Sequence, residues 1–328
     1  MIFQVEISTV CNARCVYCPL TVLRDSWDFR YMELATFDKF LEEARELAPK
    51  YIHLQGWGEP LLHPKFEYFV KKANDVSQVG ITTNATLIDA KMETVASLDI
   101  VAITFAGARQ DTHDKYRLGC PFHKVVENSR KLAKRKQGKL TAIYILLQDN
   151  YRELQDFIDL AEDIGFDNIV ISNVNYLPNI EVARVKAFTD FFEKTNLELI
   201  KAIDMASEKA KQRGIRFLSN FVAPKELVEC PEQPTNTLFI NVYGEVSPCV
   251  YLSLPTLDGK IPRVFNGRNI KILKVIYGKI GEKPLKKIIN TTKNNFSNKF
   301  IYRKYNLELG NPAEPPDICL SCYRLYGV

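Results

Sequence analysis

Eight cysteines punctuate this 328-residue chain, and their spacing carries more chemistry than that of any other residue type in it. Cys11, Cys15 and Cys18 form C-x3-C-x2-C. Thiolates at this spacing on a short loop can converge on one centre, and three of them hold three irons of a [4Fe–4S] cluster, leaving the fourth iron without a protein ligand. An open iron suits a cluster that binds and reduces a small molecule instead of relaying electrons. A zinc site that borrows a fourth ligand from elsewhere uses the same spacing. Cys230, Cys249, Cys319 and Cys322 form a second set that includes a C-x2-C pair. Four thiolates close a coordination shell, and a tetrahedral zinc is one occupant that suits them. Cys120 is left over and reads as an ordinary buried or surface thiol.

The first cysteine loop needs rigid elements to hold it, and the surrounding pattern provides them. Apolar runs of strand length at Ile2–Ser8, Tyr51–Gln55, Val79–Thr83, Ile100–Phe105, Leu140–Gln148 and Asn168–Asn173 alternate with helical periods. One helix carries Phe37, Phe40, Leu41, Ala44, Leu47 and Ala48 behind the cap Thr36. Another carries Leu154, Phe157, Ile158, Ala161 and Ile164 and stops at Gly165. Six strand–helix units imply parallel strands with right-handed crossovers.

In the first strand Phe3, Val5 and Ile7 share one face and Gln4, Glu6 and Ser8 the other; in the second, Ile52 and Leu54 oppose His53 and Gln55. A doubly wound sheet buries two apolar faces. One polar face fits an open α/β barrel, with helices outside and a wet or ligand-filled lumen inside. The cysteine loop then leaves the C-terminal end of a barrel strand, where barrel enzymes place their chemistry. Glu6, His53 and Gln55 on the lumenal faces are candidate catalytic residues; a buried Glu6–His53 hydrogen bond that only stabilises the barrel is the competing role.

From about Pro178 to Arg213 the pattern is helical, with a break near Asn196 and a stop at Gly214. After Pro224 the texture changes, with a hairpin signal at Phe239–Tyr243, Gly244 and Val246–Val250. The expected units are therefore 1–220, a barrel with a helical extension, and 221–328, a smaller cysteine-bearing domain.

Composition sets the outer bounds. Hydrophobic residues at 46% and charged residues at 25% describe a soluble globular protein and exclude a disordered or fibrous one. No apolar stretch approaches ~18 residues, and the opening MIFQVEIS alternates like a strand where a leader would show a basic start and an apolar core. A cytoplasmic protein with no membrane partner is expected. No G-x-G-x-x-G follows the first strand, which argues against dinucleotide binding. The net charge of +5 hides a segment, 260–310, with 13 Lys or Arg against only Glu282 and Glu308.

The run C-N-A-R-C-V-Y-C after the first strand, followed by Gly56-Trp57-Gly58-Glu59-Pro60 after the second, resembles the radical S-adenosylmethionine (SAM) superfamily over about Met1 to Val174. The resemblance implies a partial (β/α)6 barrel in which SAM chelates the open iron and is cleaved to a 5′-deoxyadenosyl radical that abstracts hydrogen from a substrate. It implies roles for Tyr17 beside adenine, Gly58, Glu59 and Pro60 at the SAM amino group, and Thr83 and Asn84 in the SAM pocket. By the same resemblance Thr104 contacts ribose, Arg117 of His113-Asp114-x-x-Arg117 holds the SAM carboxylate, and Asn173 and Asn175 reach adenine. One departure stands out: where relatives read S-x-D-G this chain reads Thr104-Phe105-Ala106-Gly107, so an acidic contact is absent or supplied elsewhere.

The second cysteine set resembles the short, twitch form of the SPASM domain, which implies one auxiliary [4Fe–4S] cluster; the ending Cys319-Leu-Ser-Cys322-Tyr-Arg-Leu-Tyr-Gly-Val is similar to maturases associated with tungsten-cofactor oxidoreductases. The expected function is a radical SAM oxidoreductase or maturase of a protein, peptide or metal cofactor. A dehydrogenase of a sugar or cyclitol is the alternative. The chain starts at the first barrel strand, so the N-terminal peptide-recognition domain of many peptide maturases is expected to be missing. A small acidic electron donor such as ferredoxin or flavodoxin is the expected partner for the basic segment. A metal-stabilised nucleic-acid-binding protein is the reading from another class, set back by the Ile, Leu and Phe that interleave those lysines at helical steps.

Overall fold

The strand that precedes the cysteine loop, β1 (Ile2–Val5), lies inside a sheet and not at its edge. The structure is a computed structural model that describes residues 1–292, 296–308 and 313–328. Five strands follow β1 in order, each parallel to the last: β2 (Tyr51–Leu54), β3 (Gln78–Thr83), β4 (Ile100–Phe105), β5 (Lys139–Leu146) and β6 (Asn168–Asn173). The crossovers are helical: α1 (Leu34–Arg45), α2 (Phe66–Asn74), α3 (Met92–Ala96), the pair α4 (Gln110–Tyr116) and α5 (Phe122–Ala133), and α6 (Leu154–Ile164).

Helices α1 and α6 cover the sheet with the stripes their sequences predict. Phe37, Phe40, Leu41 and Ala44 of α1 are buried, and Phe40 meets the fully buried Phe3 edge-on at 5.2 Å. Leu154, Phe157, Ile158, Ala161 and Ile164 of α6 are buried, and that helix ends at Gly165 with φ +95°, a left-handed backbone that favours glycine.

The opposite sheet face curls around a cavity. Gln55, Thr82, Thr104, Ile143, Ile145 and Ser172, from β2 to β6 or the residue just after, line one chamber. A flat sheet would hold the first and last of these strands too far apart to share it. The expected partial barrel is therefore present.

Two features were not in the pattern. Residues 178–213 are helical only at Ile180–Ala183 and in α7 (Leu197–Gln212), which Asn196 caps by accepting from the backbone N–H groups of Glu198 and Leu199. A seventh parallel strand, β7 (Arg216–Ser219), then pairs with β6; it is a mostly exposed edge strand, so it shows no apolar alternation. The expected hairpin forms as β8 (Thr237–Ile240) and β9 (Glu245–Ser247), but β8 also pairs parallel with β1, from Ile2↔Thr237 to Val5↔Ile240.

The C-terminal part adds a separate hairpin of β10 (Lys260–Phe265) and β11 (Arg268–Leu273), the two-residue β12 (Gly278–Lys279), and helices α8 (Leu285–Thr292) and α9 (Asn298–Glu308). The main sheet runs β12-β9-β8-β1-β2-β3-β4-β5-β6-β7. Helix α8 packs on α1, where the Leu285 backbone N–H donates to the Glu43 carboxylate at 2.6 Å. Among the described residues no helix is long and apolar enough to cross a membrane.

Candidate functional site

The loop that carries Cys11, Cys15 and Cys18 is tied at three points. Arg14 and Cys15 form a short antiparallel ladder with Leu118 and Arg117. The Cys18 N–H donates to the Cys15 carbonyl at 3.0 Å, and Cys18 then opens the helical turn Pro19–Val22. Asn84 donates to Asn12 at 2.9 Å and, more distantly, to the Cys11 sulfur at 3.9 Å, while Asn12 donates to Thr86 at 2.9 Å. All three thiols are free and open onto the lumenal chamber, which has a volume of about 320 Å³.

The Gly56–Pro60 turn is shaped for this loop. A Cβ at Gly58 would lie 2.4 Å from the Ser8 carbonyl and 2.6 Å from that of Val10, so only glycine lets the two loops touch. Glu59 is buried, and its carboxylate accepts from Thr83 Oγ1 (2.7 Å), the Asn84 N–H (2.8 Å) and the Leu61 N–H (3.2 Å). Glu59 thereby fixes the end of β3 to the turn. Pro60 starts the next turn and does not line the chamber.

Of the residues expected at a SAM site, Tyr17, Gly58, Glu59, Thr83, Asn84, Thr104, Arg117 and Asn173 all line the chamber, as do Gln55 and Asn175. Arg117 is 3% exposed with Nε unpartnered, and Asn173 has an unpartnered buried Oδ1. His113 and Asp114 have other work: His113 Nδ1 accepts from the Ala106 N–H at 3.4 Å, and Asp114 accepts from the Phe122 N–H at 2.8 Å at the start of α5. They hold the segment that aims Arg117. The strand end at Ala106 is held by Asn150, which donates to its carbonyl at 3.0 Å.

Two of the three candidate catalytic residues, Glu6 and His53, lie off the chamber, and the Glu6–His53 hydrogen bond given as their competing role is not made either. Glu6 follows the last residue of β1, and its Oε1 accepts from the Trp57 N–H at 2.8 Å. His53 bonds Tyr51 through Nδ1 at 2.7 Å and Thr82 through Nε2 at 2.9 Å, and the Thr82 hydroxyl donates to Gln55 at 3.1 Å. Because Thr82 spends its proton on Gln55, His53 must donate from Nε2 and accept from Tyr51, a tautomer assigned from this network. Burial pulls His53 down to about 4, so it is neutral at pH 7.

The electrostatics of the first thiol set are uneven. Burial and then the Glu59 charge push Cys11 up to about 12, and burial with the other two cysteines pushes Cys18 up as well. Cys15 is drawn down, first by a hydrogen bond with Cys120 and also by the Arg117 charge. Cys120 is thus a fully buried thiol placed behind Cys15, a neighbourhood its sequence position gave no hint of.

Cys230, Cys249, Cys319 and Cys322 line a second cavity together with Leu252, Phe296, Phe300 and Leu325. The Cys322 N–H donates to the Cys319 carbonyl at 3.0 Å, which closes the C-x2-C turn. Burial and then Glu232 push Cys230 up to about 12, and burial raises Cys249 and Cys319 as well. Such groups are thiols until a metal centre displaces their protons. Among the described residues no three His, Cys, Asp or Glu side chains close around the volume of one ion. Both thiol sets enclose a space, and an all-sulfur donor set around a space fits an iron–sulfur cluster.

One residue belongs to both cavities. Tyr251, two positions after Cys249, lines the chamber and the cage, and its hydroxyl donates to Asn175 Oδ1 at 2.9 Å. Its ring stands 5.9 Å from Trp57 and 6.3 Å from Tyr176, which are 5.4 Å from each other. Sequence reasoning missed this aromatic wall, because three rings far apart in the chain share no spacing or period.

Known proteins resemble the chain in both parts. Residues 5–161 match the family model of the Radical SAM superfamily, and residues 230–323 match that of the SPASM iron–sulfur cluster-binding domain. A tungsten-containing aldehyde ferredoxin oxidoreductase cofactor-modifying protein of Pyrococcus furiosus is 25% identical over 85% of this chain and 78% of its own length. A GTP 3′,8-cyclase of Clostridium botulinum is 25% identical over 92% of this chain and 95% of its own. SuiB of Streptococcus suis, solved with SAM, shares the fold with a TM-score of 0.69 at 14% identity, covering 99% of this chain and 71% of that one; it is also solved with its precursor peptide SuiA. Two family matches in chain order, each falling on one of the two thiol sets, carry the conclusion: the chain carries a Radical SAM superfamily domain over residues 5–161, with a [4Fe–4S] cluster and SAM as its cofactors, and a SPASM iron–sulfur cluster-binding domain over residues 230–323.

Proposed function

We propose that this protein is a radical SAM maturase of a protein, peptide or cofactor, divided near residue 220 into a catalytic barrel and an auxiliary-cluster domain. Cys11, Cys15 and Cys18 are the ligands of the SAM-binding cluster, and Cys230, Cys249, Cys319 and Cys322 hold one auxiliary [4Fe–4S] cluster. With SAM bound, the first cluster supplies a 5′-deoxyadenosyl radical for hydrogen abstraction. The observation that carries this reading is that three thiols open onto a chamber one of whose walls, Tyr251, also lines a four-thiol cage.

The chain's own residues bind, orient and insulate. Arg117, held by its ladder with Cys15 and with Nε free, is the cation for the SAM carboxylate. Glu59 acts through structure: it fixes Asn84, which steadies the cysteine loop. The rings of Trp57, Tyr176 and Tyr251 give the chamber an apolar wall that would shield a radical there.

The lining also bears on the substrate. Glu59 and Arg117 are the charged side chains on the chamber wall, and both sit at the thiol end. A triphosphate needs several cations, and among the described residues the one basic group lining the chamber is assigned to SAM. This favours an uncharged target, such as a peptide side chain, over the nucleotide that the cyclase relatives act on. The precursor peptide bound by SuiB supports the same choice. An acidic carrier such as ferredoxin is the proposed electron donor, and the cytoplasm the proposed location.

The test is the triple Cys11/Cys15/Cys18→Ala variant. It is expected to lose reductive SAM cleavage while keeping about half of the roughly eight irons that two clusters require. Undiminished 5′-deoxyadenosine formation would overturn the assignment. Deuterium transfer from labelled peptides into 5′-deoxyadenosine would identify the substrate.

A further inference from the structure

Among the described residues Arg263 is a buried cation with no carboxylate in salt-bridge reach. It lies in β10, is 4% exposed, and donates only to carbonyls: Nη1 to Ser321 at 3.2 Å and Ile318 at 3.4 Å, and Nη2 to Tyr251 at 3.4 Å. Its Nε has no partner. Two other arginines of the C-terminal part differ, since the half-buried Arg324 pairs with Glu232 at 2.7 Å and the buried Arg303 with Glu226 at 2.5 Å. An unpaired guanidinium is costly to bury unless a negative charge stands nearby.

Its three carbonyls locate that charge. Ile318 and Ser321 immediately precede Cys319 and Cys322, and Tyr251 follows Cys249 by two residues. One planar fork thus joins the segments that carry three of the four cage thiols. A four-thiolate iron–sulfur centre is anionic when oxidised and more so when reduced, and nearby charge sets its potential.

We propose that Arg263 is the counter-charge of the auxiliary centre, a positioning residue that holds the cage segments together and favours the centre's reduced state. The proposal rests on the reading of the second thiol set as an iron–sulfur site. Because a positive charge stabilises the more negative state, removing it shifts the midpoint potential downward.

The experiment uses the full chain with Cys11, Cys15 and Cys18 changed to Ala, so that only the auxiliary centre is loaded. Iron content, thermal unfolding and an EPR-monitored redox titration are measured for Arg263, R263Q and R263K. The expected result is full iron in R263Q with a midpoint below that of the parent, and a midpoint close to the parent's in R263K, which keeps the charge but loses the fork. An unshifted midpoint in R263Q, equal shifts in both variants, or loss of iron from both would overturn the counter-charge role. Zinc in place of iron in the parent would instead remove the auxiliary-cluster reading itself.

Discussion

Glu6 is the residue whose environment fits its type least. It is fully buried with Oε2 unpartnered, and burial raises it from 4.5 to about 8, against the pull of the Trp57 and Val242 backbone N–H groups and the Lys274 charge. The folded state therefore holds a proton that the unfolded chain releases, so the contribution of Glu6 is fully present below pH 4.5 and is lost as pH rises through 8. His53 runs the other way: its contribution is present above pH 6.5 and is lost as pH falls through 4. Glu6→Gln is expected to remove the alkaline limb alone. Its melting temperature should gain on the parent's by about 2–4 °C for each kcal/mol recovered as pH rises from 5 to 8. Thermal unfolding across that range checks this, and a constant offset between the two proteins would count against it. The cysteines were legible because metal chemistry constrains spacing along the chain. The partners of Glu6 and His53 were not, because strand alternation tells which face a side chain occupies but not what it touches there.

Among the elements, the six barrel strands were legible because each is a short apolar or alternating run that follows or precedes a helix-period segment. Strand β7 was not, because an exposed edge carries no apolar signature. The hairpin β8–β9 was visible as local pattern, yet its pairing with β1 was invisible, since a strand's second neighbour is chosen by tertiary packing. This pairing makes a prediction about the division near residue 220. A fragment of residues 1–220 lacks β8, so the outer edge of β1 is left unpaired beside the fully buried Phe3 and Val5. Open apolar edges promote aggregation. The fragment is expected to be insoluble or oligomeric by size exclusion, and a monomer that unfolds cooperatively would show that the barrel stands without the ladder.

For the molecule as a whole, the basic segment proves less uniform than its count suggests. Arg263 and Arg303 are buried, and Lys279, Lys299 and Lys304 pair with Glu282, Asp317 and Glu229. Lys286 and Lys287 are exposed on α8, beside the barrel helix α1 and away from the cage lining; Lys293 lies outside the described residues. Their role with an acidic electron carrier is then long-range steering. Lys286→Glu with Lys287→Glu should slow carrier-supported turnover several-fold at low salt, less so at 0.1 M where the screening length is about 10 Å, and leave turnover with a chemical reductant unchanged. Equal losses with both donors would point to folding instead. The ladder between Ile2–Val5 and Thr237–Ile240 has one more consequence, for the order of events in folding. Synthesis delivers β1 early and β8 late, so β1 waits with an open edge while nearly all the intervening chain is made. Such a contact, remote in sequence, closes slowly. The barrel's nascent form is thus the state that chaperones would meet, and arrival of the SPASM hairpin ends that exposure.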